Sequence, residues 1–439
     1  MIKNQKSLAI QDKAKRLIPS MTQLLSKRPD QFSLGVWPGY YSKAKGAEVW
    51  DLDDNHYIDM SISGIGANVL GYADPDVDAA VKTAIDNGVS CSLNCPEEVE
   101  LAELLISLHP WADMVRYCRS GGESMALAVR IARAASGKDK VAFCGYHGWH
   151  DWYLAANLGT KDALGDHLLP GLEPLGVPKA LTGTSFPFHY NRLDELESLV
   201  KKHRNELGVI VMESIRSQDP DPTFINGVRQ IADEIGAVLI VDEISAGFRI
   251  NTGGAHLKIN LHPDIAVFSK AMGNGYPVGA VIGKEKIMQV AQKTFISSTN
   301  WTERTGTAAA IATICKHRDK NVPEHLIGIG KLMQQGWKDK ADKNGLNIHV
   351  SGIPPLSHFG FGEGNPYELK ALFVQLMLER GFLAANIFYS MLAHTAEHVG
   401  KYMIAADEAF GIMREALDQG KVSSMLKGKA AASGFKRLT

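Results

Sequence analysis

The chain has 439 residues, of which 45% are hydrophobic and 22% are charged, and its formal net charge is −1. This composition is typical of a folded globular protein and excludes a largely disordered chain. Because the charge is balanced, no bulk field draws the protein toward nucleic acid or anionic lipid, and we expect small molecules as its partners.

The cysteines and the apolar runs indicate the cellular compartment of such a protein. The chain has 5 cysteines, an odd number scattered over its length, which argues against a disulfide framework. The N-terminal residues lack the apolar core of a signal peptide, and no apolar run approaches the roughly 20 residues of a membrane span. We therefore expect a soluble, cytoplasmic protein with no membrane partner.

Strands and helices alternate through the middle of the chain. A hairpin at 51–59 follows an N-terminal helix, and short apolar runs predict strands at 115–118, 141–144, 208–212, 237–241 and 265–268, with amphipathic helices between them. The alternation predicts an α/β fold with a mostly parallel central sheet covered by helices. Beyond about residue 320 the pattern indicates a smaller α+β domain. We divide the chain into an N-terminal arm (1–60), a large domain (61–318) and a C-terminal small domain (319–439).

Two of the predicted strands each end in an ionisable residue. Asp242 follows the strand at 237–241, and Lys270 follows the strand at 265–268, before a glycine-rich segment. The carboxyl ends of parallel strands meet at one edge of a sheet, where open α/β sheets bind their ligands. A lysine in apolar surroundings can act as a nucleophile toward carbonyl groups. Asp242 and Lys270 are thus predicted to share one site.

Two loops supply the rest of the predicted site. Gly121 and Gly122 lie between a strand and a helix, where backbone N–H groups can hold a phosphate. The loop at 145–152 is rich in aromatic residues and suits a flat ligand ring. His147 and His150 of this loop could also bind a metal, but the glycine between them favours a loop over a ligand-bearing helix. A lysine, an acid, a phosphate cradle and an aromatic platform together indicate a site for pyridoxal 5′-phosphate.

The segments 242–249 and 268–280, with the shorter motifs 120–123, 146–148 and 393–395, resemble the class III aminotransferases. The likeness extends over nearly the whole chain. It implies the fold of fold-type I enzymes that use pyridoxal phosphate, and a homodimer with shared active sites. It also implies that Lys270 holds the cofactor covalently and then moves a proton between substrate and cofactor, while Asp242 keeps the pyridine nitrogen protonated.

The same resemblance implies further contacts with the cofactor. Ile244 and Tyr146 would pack on the two faces of the ring, and the backbone of Gly121 and Gly122 would bind the phosphate. Thr299 would add its hydroxyl group from the partner subunit. Two more polar residues are implied near the ring, namely Glu213 and Gln218.

The chain also departs from its family. At the phosphate loop it has Ser120-Gly121-Gly122 where the family usually has Ser-Gly-Thr, so one hydroxyl group is missing. The segment 300–304 and Asn386 differ from glutamate-1-semialdehyde aminomutases. The segments 26–32, 146–152 and 301–304 instead resemble transaminases that form 8-amino-3,8-dideoxy-manno-octulosonate, for surface polysaccharide and lipopolysaccharide synthesis.

This second likeness changes the interpretation of Arg28. From pattern alone Arg28 belongs to a solvated basic turn, but the resemblance makes it a clamp for a substrate carboxylate, for which a planar guanidinium is suited. His147 is the second residue predicted to contact the substrate. Under this interpretation, glutamate donates an amino group to the keto or aldehyde carbonyl of a sugar acid in a ping-pong cycle. The alternatives are an aminomutase and a protein that binds pyridoxal phosphate without catalysis.

Overall fold

The computed structural model describes residues 4–215 and 219–432. By their internal contacts the residues form two units, one made of Met1–Asp74 and Glu324–Thr439 and the other of Pro75–Pro323. Our three-region division of the chain stays a prediction. No helix within the described residues is both long and apolar enough to cross a membrane.

The strands, in chain order, are β1 (Tyr41–Lys45), β2 (Glu48–Asp51), β3 (His56–Met60), β4 (Met114–Cys118), β5 (Lys140–Cys144), β6 (Ser185–Pro187), β7 (Leu207–Glu213), β8 (Val238–Asp242), β9 (Ile265–Phe268), β10 (Gly279–Gly283), β11 (Ile348–Ser351), β12 (Leu356–Phe361), β13 (Phe382–Ala384) and β14 (Ile387–Tyr389).

The α-helices are α1 (Gln5–Leu17), α2 (Ser63–Gly66), α3 (Pro75–Asp86), α4 (Glu97–Leu108), α5 (Gly121–Ser136), α6 (Asp151–Leu154), α7 (Ala156–Gly159), α8 (Leu193–His203), α9 (Pro222–Ile235), α10 (Glu285–Met288), α11 (Arg304–Asp319), α12 (Val322–Lys343), α13 (Pro366–Glu379), α14 (Ala396–Asp418) and α15 (Val422–Met425).

The unit Pro75–Pro323 is built on a seven-stranded sheet in the order β4-β10-β9-β8-β7-β5-β6. β5 to β9 pair in parallel, and β10 runs antiparallel to both of its neighbours, so β4 again points in the direction of β9. The mostly parallel sheet is therefore confirmed, but two of its strands were not predicted, namely the three-residue β6 and the longer β10. The glycines at both ends of β10 hid its strand pattern.

Every residue of β7 and β8 is buried, as expected for central strands of a parallel sheet that is covered on both faces. Phe224 and Val228 of α9 pack with alternate residues of these strands. Since alternate side chains of a strand point to opposite faces, the other half of each strand faces the side of α5. Asp221 caps α9 by accepting the N–H of Thr223 at 2.8 Å.

The other unit has two smaller sheets and joins both ends of the chain. β1, β2 and β3 are antiparallel, and β3 pairs in parallel with β13. β11, β12 and β14 form the second, antiparallel sheet. The core of this unit contains the buried ring of Trp337, whose Nε1 donates to the hydroxyl group of Tyr402 at 3.0 Å.

Candidate active site

A buried aspartate and a buried histidine meet at the carboxyl edge of the large sheet. β8 ends in Asp242, whose Oδ2 lies 2.8 Å from Nδ1 of His147. The other ring nitrogen, Nε2, donates to the carbonyl oxygen of Cys144 at 3.1 Å. Nε2 needs a hydrogen atom to donate to this carbonyl, and a neutral imidazole has only one N–H. The contact between Nδ1 and Oδ2 therefore needs a second hydrogen atom, carried by one of those two atoms. Asp242 is further held by the backbone N–H of Ile244, which donates to Oδ1 at 2.9 Å.

Lys270 follows the neighbouring strand, β9, and its amine lies at the same edge. Its Nζ donates to Oγ of Ser245 at 2.7 Å, and Ser245 belongs to the turn that follows Asp242. The φ of Lys270 is 45°, in the left-handed region that costs a residue with a side chain roughly 1 kcal/mol or more. The structure thus brings the predicted lysine and aspartate to one edge of the sheet.

The two predicted phosphate-binding glycines begin α5. The first N–H groups of a helix have no acceptor within the helix, and its dipole favours an anion at this end. A Cβ atom at Gly121 would lie 3.1 Å from two carbons of Ile244, and one at Gly122 would lie 3.3 Å from the ring of Trp149. Glycine at both positions therefore lets Ile244 and Trp149 pack closely against the first turn of the helix.

The loop that carries Tyr146 and His147 is anchored to the end of β7. Glu213, the last residue of β7, is 7% exposed and accepts the backbone N–H of Tyr146 at 3.3 Å. The φ of Gly145 is 112°, and a Cβ atom there would lie 2.5 Å from the Glu213 carboxylate, so the turn requires glycine. Tyr153 donates from its hydroxyl group to the carbonyl oxygen of Gly145 at 2.9 Å.

Thr299 is exposed on the short turn Thr299–Thr302. Arg119 holds the following backbone by donating to three carbonyl oxygens of the segment 300–303, at 2.7, 3.0 and 2.6 Å. The indole Nε1 of Trp301 donates to Oε1 of Glu123 at 2.9 Å. Because Glu123 lies in the first turn of α5, these contacts tie the Thr299 turn to the helix end that carries the two glycines.

Two other predicted residues are described separately. Gln218 lies outside the described residues. Arg28 belongs to the other unit, where its side chain is 4% exposed, and its Nε donates to Oδ1 of Asp30 at 3.0 Å while Nη2 pairs with Oδ2. Arg28 is therefore buried in an ion pair and not part of a solvated turn. Its role toward a substrate stays a prediction.

Comparison with known protein families identifies the chain. The family described as Aminotransferase class-III matches residues 35–376, which is more than half of the sequence. The chain belongs to the class-III aminotransferases. It is a transaminase that depends on pyridoxal 5′-phosphate, with the fold of fold-type I enzymes, as its motifs predict.

Known proteins resemble this class-III aminotransferase over nearly all of its length. A 3-aminobutyryl-CoA aminotransferase from Cloacimonas acidaminovorans (strain Evry) is 30% identical over 429 residues, covering 95% of this chain and 99% of the relative. The FumI protein of Sphingopyxis sp. MTA144, in its internal aldimine form, superimposes with a TM-score of 0.86 at 23% identity, covering 98% and 99% of the two chains. A glutamate-1-semialdehyde aminomutase from Pseudomonas aeruginosa PAO1 has a TM-score of 0.78 at 19% identity, with 92% and 94% covered.

The residues at the sheet edge of this class-III aminotransferase fit the cofactor. Gly121 and Gly122 begin α5, so the first backbone N–H groups of that helix lie at this edge for a phosphate. A buried carboxylate, Asp242, and a primary amine, Lys270, are the groups that a pyridine nitrogen and an aldehyde require.

The residues that support this site were not predicted from the sequence. They are Ser245, which accepts from Lys270, and Arg119 and Glu123, which hold the Thr299 turn. A serine in the turn after Asp242 and an arginine directly before the phosphate loop were the available signals. Neither residue type in these positions indicates a partner that lies far away in sequence.

Proposed function

We propose that this class-III aminotransferase takes an amino group from glutamate and transfers it to a carbonyl group of a sugar acid. The observation that carries the proposal is the position of Lys270 and Asp242 after adjacent parallel strands, with the lysine amine bonded to Ser245 in the turn that follows Asp242. This arrangement supports an active catalytic centre over a protein that binds the cofactor without catalysis.

Bound pyridoxal phosphate supplies an electron sink for the substrate carbon that carries the amino group. Asp242 would face the pyridine nitrogen. His147 would position Asp242, because the two ring nitrogens of His147 contact Asp242 and the Cys144 carbonyl. This geometry favours a supporting role for His147 over the predicted contact with substrate. The amine of Lys270 would accept and return the proton that moves during transfer.

The remaining predicted contacts keep their proposed roles. The backbone N–H groups of Gly121 and Gly122 would bind the phosphate, and Ile244 and Tyr146 would enclose the ring. Gln218 would approach the ring hydroxyl group, and Glu213 would support that contact through the Tyr146 loop.

We propose a homodimer in which Thr299 completes the phosphate site of the partner subunit. Thr299 is exposed, and Phe295, four residues earlier on the same segment, is 91% exposed. The hydrogen bonds from Arg119 hold this segment in one conformation, as presentation to a second copy would require.

The sugar-acid acceptor rests on the motifs at 26–32, 146–152 and 301–304, and on Arg28. A guanidinium group has five N–H donors in a planar fork, so Asp30 can orient it while a substrate carboxylate binds. The product would be an amino sugar acid of the 8-amino-3,8-dideoxy-octulosonate type.

A second acceptor class is favoured by the relative that is 30% identical over 95% of the chain, a 3-aminobutyryl-CoA aminotransferase. By the stoichiometry of transamination, the corresponding acceptor is a 3-oxoacyl thioester. In that case the enzyme would recognise a coenzyme A thioester on the substrate and not a free carboxylate.

Half-reactions test the donor and the acceptor separately. Glutamate should convert the purified holoenzyme from its lysine-bound form to the pyridoxamine form, with release of an equal amount of 2-oxoglutarate. The pyridoxamine form is then mixed with the 8-oxo sugar acid or with a 3-oxoacyl-CoA, and return of the visible absorption identifies the acceptor. Isomerisation of glutamate-1-semialdehyde without any response to glutamate would identify an aminomutase instead.

The variant Lys270→Ala provides the control for these measurements. It should bind the cofactor without the visible absorption of the lysine-bound form, and the half-reaction should slow by about 10²–10⁴-fold, since the proton carrier is lost. A wild-type protein that binds pyridoxal phosphate but reacts with no amine would refute the aminotransferase proposal.

A further inference from the structure

The aromatic loop packs its two central rings against the phosphate loop. The rings of Trp149 and His150 are stacked with centroids 4.3 Å apart and an interplanar angle of 26°. A Cβ atom at Gly122 would lie 3.3 Å from Cδ1 and Nε1 of Trp149 and 3.4 Å from Cδ2 of His150. The two rings therefore fill the space that a side chain at residue 122 would need.

One polar atom of this ring pair is buried without a partner. Nε2 of His150 is inaccessible to solvent and has no hydrogen-bond partner among residues 4–215 and 219–432. An imidazole Nε2 is bonded directly to Cδ2, so this nitrogen is one bond away from the atom that approaches Gly122. A buried polar group without a partner is unfavourable, and a ligand that accepts from this nitrogen would remove that cost.

The acidic groups that face His150 do not supply the missing acceptor. They are Glu123 and Asp151, and both oppose the lowering of the His150 pKa by burial. Oε2 of Glu123 accepts the N–H of Arg119 at 2.8 Å, and Oε1 accepts from Trp301 at 2.9 Å. The side chain of Asp151 is exposed to water. Burial keeps the imidazole neutral at pH 7, so it carries one N–H that an anion can accept.

We propose that His150 is a cofactor-binding residue that donates a hydrogen bond from Nε2 to the phosphate group of pyridoxal phosphate. This inference rests on the proposed assignment of Gly121 and Gly122 to that phosphate. Gly122 and His150 act together in this proposal. Because residue 122 has no side chain, the imidazole fits beside it. The N–H of the imidazole then replaces the donor that a hydroxyl side chain at residue 122 would supply. A charge-assisted bond of this kind is stronger than one between neutral groups.

The test compares two forms of the cofactor on the apoenzyme. Affinities for pyridoxal phosphate and for pyridoxal, which lacks the phosphate, are measured by tryptophan fluorescence for the wild type and for His150→Gln and His150→Asn. The longer glutamine can place its amide where Nε2 lies, while asparagine cannot reach. We expect His150→Asn to weaken pyridoxal phosphate binding on the order of 10-fold with pyridoxal unaffected, and His150→Gln to recover most of the loss.

Competition by inorganic phosphate gives a second readout that does not depend on activity. Phosphate should compete with pyridoxal phosphate less effectively in His150→Asn than in the wild type. His262, exposed in the same unit, supplies the control variant His262→Asn, which should behave as the wild type. Thermal unfolding of each apoenzyme verifies that the variants are folded.

Equal losses for pyridoxal phosphate and pyridoxal, or wild-type affinity in both His150 variants, would overturn the inference while leaving the proposed function intact. A wild-type protein that binds neither form would instead refute the cofactor assignment of the loop itself.

Discussion

Nδ1 of His147 lies 2.8 Å from Oδ2 of Asp242, and both side chains are buried. The pair joins the aromatic loop after β5 to the end of β8, so the carboxylate that is proposed to face the cofactor ring is positioned by a residue from another strand. Its second ring nitrogen is fixed by the Cys144 carbonyl at 3.1 Å, which leaves the imidazole little freedom to turn.

Removal of the imidazole should therefore act through Asp242. We expect His147→Phe to lower the rate of the glutamate half-reaction by about 10-fold or more, because a buried carboxylate that loses a charge-assisted partner is costly to keep ionised. His147→Asn can still donate to Asp242 and should recover part of the rate. Stopped-flow kinetics measures kcat and KM effects separately, and a change confined to KM would contradict the supporting role.

Gly148 packs against the phosphate loop, and Gly236 does not, so the two glycines allow a controlled test of this contact. Both have positive φ, 98° and 65°, but a Cβ atom at Gly148 would lie 2.8 Å from Cα of Gly122, whereas nothing lies within 4 Å at Gly236. Gly236→Ala should cost about 1 kcal/mol of stability from backbone strain alone. Gly148→Ala should cost about 1–3 kcal/mol and also weaken pyridoxal phosphate binding. Denaturant unfolding and cofactor titration measure the two effects, and equal behaviour of the variants would show that the contact with Gly122 does not matter.

Arg119 is expected to hold the Thr299 turn through its three carbonyl contacts. Arg119→Leu removes all of them and should reduce the free energy of unfolding by about 2 kcal/mol, since hydrogen bonds from a charged donor contribute roughly 1.5–3 kcal/mol when buried and less when water can replace them. It should also weaken dimerisation, which analytical ultracentrifugation measures. Arg192→Leu, at an exposed ion pair with Asp194, is the control. An Arg119 variant with wild-type stability and association would contradict this role.

His394 should make the stability of the protein depend on pH. Burial lowers the pKa of His394 from 6.5 to about 4. Its Nδ1 accepts the N–H of Met391 at 2.9 Å and its Nε2 donates to the carbonyl oxygen of Asp59 at 2.7 Å, so protonation at Nδ1 would break the first bond. The unfolded chain thus binds more protons than the folded chain between pH 6.5 and about 4.

The sign follows from that difference: the stabilisation is complete above pH 6.5 and is lost as the pH falls toward 4. At one pKa unit per about 1.4 kcal/mol, the contribution is on the order of 3 kcal/mol. Urea unfolding of the wild type and of His394→Gln, measured from about pH 7 to about pH 5, should show a shallower pH dependence in the variant. The exposed His349 supplies the control His349→Gln. Identical slopes for His394→Gln and the wild type would refute the prediction.

The local sequence determined the elements and the chemistry at their ends. The apolar runs of β8 and β9 predict buried parallel strands because only such strands are apolar on both faces, and their order along the chain predicts which ends share an edge. The glycine pair that begins α5 predicts an anion site because the first N–H groups of a helix have no acceptor within it. Asp242, Lys270 and the phosphate loop could therefore be predicted from short segments.

Tertiary structure alone decided which residues support that chemistry. Four contacts join segments that are remote in sequence. They are those of His147 with Asp242, of Lys270 with Ser245, of Trp301 with Glu123 and of the His150 ring with Gly122. Hydrogen-bond geometry and close packing act over a few ångströms in space, and neither leaves a period or a spacing in the chain. The antiparallel β10, with glycine at both ends, was hidden for the same reason, because its pairing with β4 and β9 and not its own residue pattern makes it a strand.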